Sequence, residues 1–149
     1  MKDMYGMGYD PHISALVVFE AMYPLELHHW AEAAALTPIP GAVDGDNSIS
    51  HWARAVALGH LGKADEAGKE VAQIESIRKK LSAEKKSKPI DVIERDTKEA
   101  EAWTEFAAGK KDVAIGMLRS IAAKDSGTYQ AADQIPAQEM LADMLLEMD

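Results

Sequence analysis

The chain of 149 residues contains no cysteine and no long apolar run. The absence of cysteine excludes disulfides, thiolate metal sites and cysteine nucleophiles, and it leaves the redox compartment undetermined. The longest apolar run, Ala15 to Phe19, is far shorter than the roughly 18–20 residues of a membrane span, so we expect no transmembrane helix. No charged-then-apolar leader opens the chain, which predicts a soluble protein without a signal peptide. A mature secreted form would look the same, so the sequence leaves the compartment open.

Basic and β-branched residues are also scarce. Acidic side chains outnumber basic ones by 25 to 16, and the net charge of −9 argues against nucleic acid as the main partner, because phosphate binding needs concentrated positive charge. Alanine occurs 25 times, a composition that favours close-packed helices over sheets. The length suits one domain with a core of its own. The sequence therefore predicts an all-α protein of a single domain.

The sequence predicts an irregular N-terminal arm, residues 1–9, followed by a single helical domain over residues 10–149. Asp10-Pro11 is typical of a helix start, with an N-cap acceptor and proline at the first helical position. The helix that follows is apolar around much of its circumference, so we expect it to be buried on more than one side. Pro24 is predicted to end or kink it.

Two similar turns organise the rest of the chain. Gly62-Lys63-Ala64-Asp65-Glu66-Ala67 and Gly109-Lys110-Lys111-Asp112-Val113-Ala114 lie 47 residues apart. In each, glycine ends one helix and an alanine five residues later belongs to a second helix. A degenerate third copy falls on His28, 34 residues before Gly62, with Ala33 in the alanine position.

These turns and the apolar spacing predict further helices and loops. The expected helices are residues 30–36, Ser48 or Ser50 to about Leu61, 64–81, 90–108, 113–124 and from Pro136 onward. The expected loops are residues 37–48 and 125–134. The basic run from Arg78 to Lys88 around Pro89 is interpreted as cations that offset a helix dipole, with an anionic docking patch as the alternative.

This pattern resembles the tetratricopeptide repeat, in which each unit of about 34 residues is a helical hairpin that stacks on the next. The matching positions are the two turn glycines and the small or apolar residues that follow the family pattern: Ala55, Ala102, Ala67, Ala114, Val71, Leu118, Ile74 and Ile121. The resemblance implies a right-handed α-solenoid of stacked hairpins that ends on an unpaired helix. It also implies a scaffold that binds protein partners along a groove.

The match departs from the family at four positions of the first helices. His51 and Lys98 stand where the family has a large apolar residue, and Arg54 and Glu101 stand at the next apolar position. The single asparagine, Asn47, excludes the carboxylate clamp of the best-known subclass. No catalytic motif or phosphate-binding loop occurs, so we expect a non-catalytic protein without a cofactor.

The last helix carries an apolar stripe and has no helix after it. The stripe is predicted as an interaction surface and consists of Met140, Leu141, Met144, Leu145 and Met148. Apolar patches of this kind usually mark interfaces. Either the chain is a piece of a longer solenoid, or another copy covers the stripe; head-to-tail stacking would give a homo-oligomer or a filament. We favour self-association.

A small metal- or ligand-binding protein is the alternative. His28 and His29 share a turn and could bind an ion between chains, and Met4 and Met7 of the arm, with His12, are soft-metal ligands by residue type. The competing interpretation is that these side chains only pack. Tryptophans at positions 30, 52 and 103 are interpreted as hairpin core rather than as a ligand box.

Overall fold

The computed structural model describes residues 9–84, 88–125 and 135–148, which form helices and no strand. The all-α prediction is confirmed for these residues. The described helices are α1 (Pro11–Glu26), α2 (Trp30–Ala34), α3 (Asp44–His60), α4 (Ala64–Ala83), α5 (Lys88–Ala107), α6 (Lys111–Asp125) and α7 (Ala137–Leu146). The predicted arm apart from Tyr9, the predicted loop after Asp125 and part of the basic run lie outside the described residues.

The turns after α1, α3 and α5 share one backbone conformation. The residues at positions 28, 62 and 109 have φ angles of 57°, 72° and 82°, in the left-handed region. Each turn closes with the same pair of hydrogen bonds. The N–H groups of residues 28, 62 and 109 donate to the carbonyl three residues earlier, and those of 29, 63 and 110 donate to the carbonyl five residues earlier. These two hydrogen bonds are those of the Schellman motif at a helix C-terminus. The prediction that His28 corresponds to the turn glycines is confirmed.

The helices pack against close neighbours along the chain. Helix α3 contacts α1, α2, α4 and α5; α5 also contacts α4 and α6; α7 contacts α6. Each of these pairs, over the three described ranges, joins helices one or two apart in sequence. The core therefore runs from helix to helix through α3 and α5.

The crossing of α3 and α5 depends on small residues. Ala55 and Ala102 are fully buried, as expected for residues at a helix crossing. At Gly59 a methyl group would come within 2.6 Å of Trp103 Cβ and 2.8 Å of Trp103 O, closer than atoms can approach. Glycine at position 59 therefore allows the Trp103 backbone to lie directly against α3.

Several predicted boundaries differ from the observed ones. Helix α1 continues through Pro24 and ends two residues later. Helix α3 begins at Asp44, and Val43 is its N-cap, so the prediction that Ser48 or Ser50 caps it is wrong. Both serines are buried inside the helix, and the Ser48 hydroxyl donates to the Gly45 carbonyl at 2.6 Å. A serine within a helix satisfies its hydroxyl locally, so a cap and an interior serine look alike in sequence.

The extra length between the second and third turns lies mostly in helix. Helices α4 and α5 have 20 residues each, compared with 17 for α3 and 15 for α6. The sequence predicts a break near Pro89, and helix α4 does end at Ala83 while α5 begins at Lys88; Pro89 is the second residue of α5, where proline is tolerated. The 47-residue spacing therefore reflects longer helices more than a longer loop.

Candidate functional site

The predicted stripe on α7 is only partly exposed. Met140 is 2% exposed and Met144 is fully buried, so these two side chains lie in the core and the prediction of an uncovered stripe is wrong for them. Leu141 is half-buried, whereas Leu145 and Met148 are exposed. A helix with one apolar face buries that face when a neighbour is present, and α6 is that neighbour here.

Two histidines from earlier parts of the chain also contact the α7 segment. His28 Nε2 lies 3.5 Å from Asp143 Oδ2. His60, the last residue of α3, is in hydrogen-bonding contact with Glu147 through its Nδ1. Asp143 and Glu147 are four residues apart, so they lie on the same side of this segment. The α7 segment is therefore connected to the end of α3 and to the turn after α1.

Four rings form a stack beneath this contact, which we call the aromatic stack: His28, Trp30, His60 and Trp103. Their successive centroids are 4.8 Å, 3.6 Å and 3.6 Å apart, and the planes of Trp30 and His60 differ by only 7°. Phe106 meets Trp103 edge-on at 5.4 Å. The stack joins the α1–α2 turn, α2, α3 and α5. Its tryptophans fit the interpretation of Trp30 and Trp103 as hairpin core.

The His60 ring is enclosed between two indoles, and its side chain is 2% exposed. Burial, with a smaller contribution from the nearby His28, lowers the pKa of His60 to about 3. A neutral imidazole at pH 7 donates through one nitrogen, so Nδ1–H donates to the Glu147 carboxylate. Burial, with Asp143 close by, raises the pKa of Glu147.

A second polar cluster lies between α3 and α5. The Glu99 side chain is fully buried; its Oε2 accepts a hydrogen bond from Trp52 Nε1 at 3.1 Å, and Arg95 Nη2 is 3.1 Å from its Oε1. The same Arg95 nitrogen donates to Asp125 at 2.7 Å. Burial raises the pKa of Glu99 to about 8, because the loss of hydration outweighs the attraction of Arg95. The arrangement fixes Trp52 in the interface.

The positions that depart from the tetratricopeptide pattern form polar contacts between helices. His51 Nδ1 and Arg54 Nη2 lie 2.6 Å and 2.7 Å from the two oxygens of Glu70 on α4. Arg54 also donates to the Leu36 carbonyl at 3.2 Å. At the equivalent positions of α5, Lys98 and Glu101 line a shallow charged groove beside α4. These polar groups take the place of apolar packing.

Helix α1 carries an exposed apolar surface that the sequence did not predict. We call it the α1 face; its side chains are 45%, 63%, 50% and 48% exposed and belong to Leu16, Phe19, Tyr23 and Leu27. The rings of Phe19 and Tyr23 stack at 5.6 Å. The opposite side of α1, including Val17 and Leu25, is buried. Helix α1 packs against α2 and α3, but the side that carries these four residues has no cover among the described residues, so the expected burial on more than one side does not extend to this face.

The histidines proposed as metal ligands have separate contacts. His28 lies beside Asp143 and His29 lies beside Glu32 at 3.2 Å. Within the described ranges, no three histidine or acidic side chains come together in a group that could hold a metal ion. Met4 and Met7 lie outside those ranges, and the His12 side chain is almost fully exposed. No observation in the described part of the chain favours the metal-binding alternative.

Comparison of the chain with protein families, with curated proteins and with solved structures finds no match. None of the described helices has the length and apolar character needed to cross a membrane.

Proposed function

We propose that this chain is a non-catalytic helical-repeat scaffold of the tetratricopeptide type that binds proteins, including second copies of itself. The three equivalent turns support the repeat, because each joins the two helices of a hairpin in the same way. The main packing, between helices one or two apart, supports a right-handed α-solenoid of stacked hairpins, to which the α7 segment adds contacts with His28 and His60.

The α1 face is the single observation that carries the binding role. Large apolar side chains that protrude together from a folded chain mark interaction surfaces more often than scattered ones do. Four half-exposed side chains of this size offer roughly 400 Å², taking about half of the 150–250 Å² that each can bury. A stable interface needs about 800 Å² from each partner. The α1 face alone therefore supports only a weak complex.

A second exposed apolar set lies on the α7 segment. Leu145, Leu146 and Met148 are 39%, 71% and 38% exposed. In a contact between this set and the α1 face of another copy, each copy would bury roughly 400 Å² or less, about half of what a stable interface needs. Such a contact is heterologous, so it produces chains or rings rather than a simple pair. We therefore propose head-to-tail association in the micromolar range.

Sedimentation equilibrium over about 5–500 μM tests this proposal. We expect an average mass that rises with concentration, and we expect Phe19→Glu and Leu146→Glu each to weaken association at least tenfold, since each buries a charge. Val113→Glu is the matched control, because Val113 is an exposed apolar residue on α6 and belongs to neither set. If only Phe19→Glu has an effect, the copies pair through two α1 faces. A mass that stays that of one chain at every concentration contradicts self-association.

A further inference from the structure

We propose that the α7 segment is a pH-sensitive clasp, held at neutral pH by the contact of Glu147 with His60 and released when His60 takes up a proton. We call this segment, residues 137–148, the α7 clasp. The clasp does not depend on self-association, because its contacts lie within one chain.

Two polar contacts attach the clasp to the aromatic stack, in addition to the hydrogen bond that Gln138 Nε2 donates to the Ala122 carbonyl of α6 at 3.2 Å. Glu147 contacts His60, and Asp143 lies beside His28, one turn away. The two histidine rings lie on opposite faces of Trp30. Both attachments therefore depend on the aromatic stack keeping its spacing.

A proton on His60 has no access to water in this stack. The groups that face it are the Trp30 ring and the charge of His28 from the α1–α2 region, the uncharged Trp103 ring of α5, and Glu147 with Asp143 from α7. The carboxylates and the indole faces attract an imidazolium, whereas burial and His28 oppose it. Burial dominates, since it lowers the pKa of His60 to about 3. The raised pKa of Glu147 acts in the opposite sense, because docked Glu147 takes up a proton in acid before a released carboxylate does.

The direction of the effect follows from these values. Release opens to water the edge of the His60 ring that contacts Glu147, so the released ring takes up a proton more readily than the docked ring, whose pKa is about 3. The released state therefore binds more protons in acid than the docked state, and the ratio of released to docked clasp grows as the pH falls. One proton per chain sets the upper limit of this growth, about tenfold for each unit of pH.

Release uncovers surface that the neutral form hides. Met140 and Met144 are buried by the clasp's docking, and Leu141 is half-buried. In acid these side chains become accessible together with the rings of His60 and Trp103. Of the stripe that the sequence predicts as an interaction surface, Met140 and Met144 are thus available only in the released state.

Hydrogen exchange of the whole chain, corrected for the intrinsic pH dependence of amide exchange, tests the clasp. Between pH 6.5 and 4.5 we expect the opening equilibrium of residues 137–146 to rise, by up to about a hundredfold, while α4 stays protected. In His60→Phe a ring still fills the space between the indoles but cannot titrate, so the rise should disappear. His12→Gln, on the exposed start of α1, should keep it.

Three results would overturn the proposal: exchange of α7 that does not change with pH, an unchanged rise in His60→Phe, or α4 opening in parallel with α7. If His60→Phe does not fold, nitrogen NMR of the His60 ring in the unaltered chain decides. A neutral ring in the docked form at pH 5 supports the clasp. An imidazolium at pH 5 with α7 still protected contradicts it.

Discussion

Gly59 is the residue at which α3 and the Trp103 backbone come closest. We expect Gly59→Ala to lower the free energy of unfolding by about 2–4 kcal/mol, because the added methyl group overlaps backbone atoms of α5 and forces the helices apart. Gly116→Ala is the matched control. Gly116 lies within α6, and an added methyl group there would meet no atom within 4 Å, so alanine should raise stability by about 0.5–1 kcal/mol. Urea unfolding measures both, and equal effects would contradict the close approach.

Glu99 is expected to make stability depend on pH in a particular direction. Its folded pKa of about 8 exceeds the ordinary value of 4.5, so between these limits the folded chain holds a proton that the unfolded chain has released. The stabilisation that this proton on Glu99 provides is therefore lost as the pH rises from 4.5 to 8, by about 1.4 kcal/mol per unit of pH. Glu99→Gln removes this dependence and keeps an acceptor for Trp52.

Unfolding curves from pH 5 to pH 8.5 test this expectation. We expect the stability of Glu99→Gln relative to the unaltered chain to increase steadily with pH. Glu66→Gln is the control, because its side chain is exposed, and its curve should run parallel to that of the unaltered chain. A parallel curve for Glu99→Gln would show that Arg95 keeps Glu99 ionised.

At the scale of elements, the hairpin turns should respond alike to loss of glycine. Gly62 and Gly109 have positive φ angles and no atom within 4 Å of an added methyl group, so alanine there meets backbone strain alone. We expect Gly62→Ala and Gly109→Ala each to cost about 1–2 kcal/mol. Thermal unfolding would show two similar decreases in Tm. Clearly different decreases would contradict the equivalence of the two turns.

The positions of the helices could be predicted from the sequence wherever turn residues and apolar periodicity agree. The turns at residues 28, 62 and 109 have a short signal each, and the buried alanines that follow them obey helical spacing. The start of α3 was not predictable, because Asp44 and Asp46 look like loop residues until they are seen to occupy a first helical turn. Acidic residues are common both in loops and in first helical turns. The structure distinguishes the two through tertiary contacts such as the hydrogen bond from Ser14 to Asp46 at 2.9 Å.

At the scale of the whole molecule, local stability should follow the number of neighbouring helices. Helix α3 contacts four other helices, whereas α7 contacts α6 and the α1 face has no cover among the described residues. We expect amide exchange at neutral pH to be slowest in α3 and α5. Opening of α1 and α7 should be easier by at least about 1–2 kcal/mol. Protection of α1 equal to that of α3 would contradict an uncovered first helix.

The candidate site was less predictable than the fold. Apolar periodicity identified the inward face of α7, but it could not show that α6 covers Met140 and Met144. The stack of His60 between Trp30 and Trp103 joins residues far apart in sequence, and a single histidine carries no signal of its partners. The α1 face had a usable signal, since the first helix of any row lacks a preceding neighbour.

The left-handed residue at position 28 has a consequence for how such chains are counted. A search for glycine would find two of the three hairpins that the described part of the backbone builds. Histidine there accepts an unfavourable conformation and gains a place beside Trp30. In this chain the hydrogen-bond pattern of the turn is thus kept where its glycine is not.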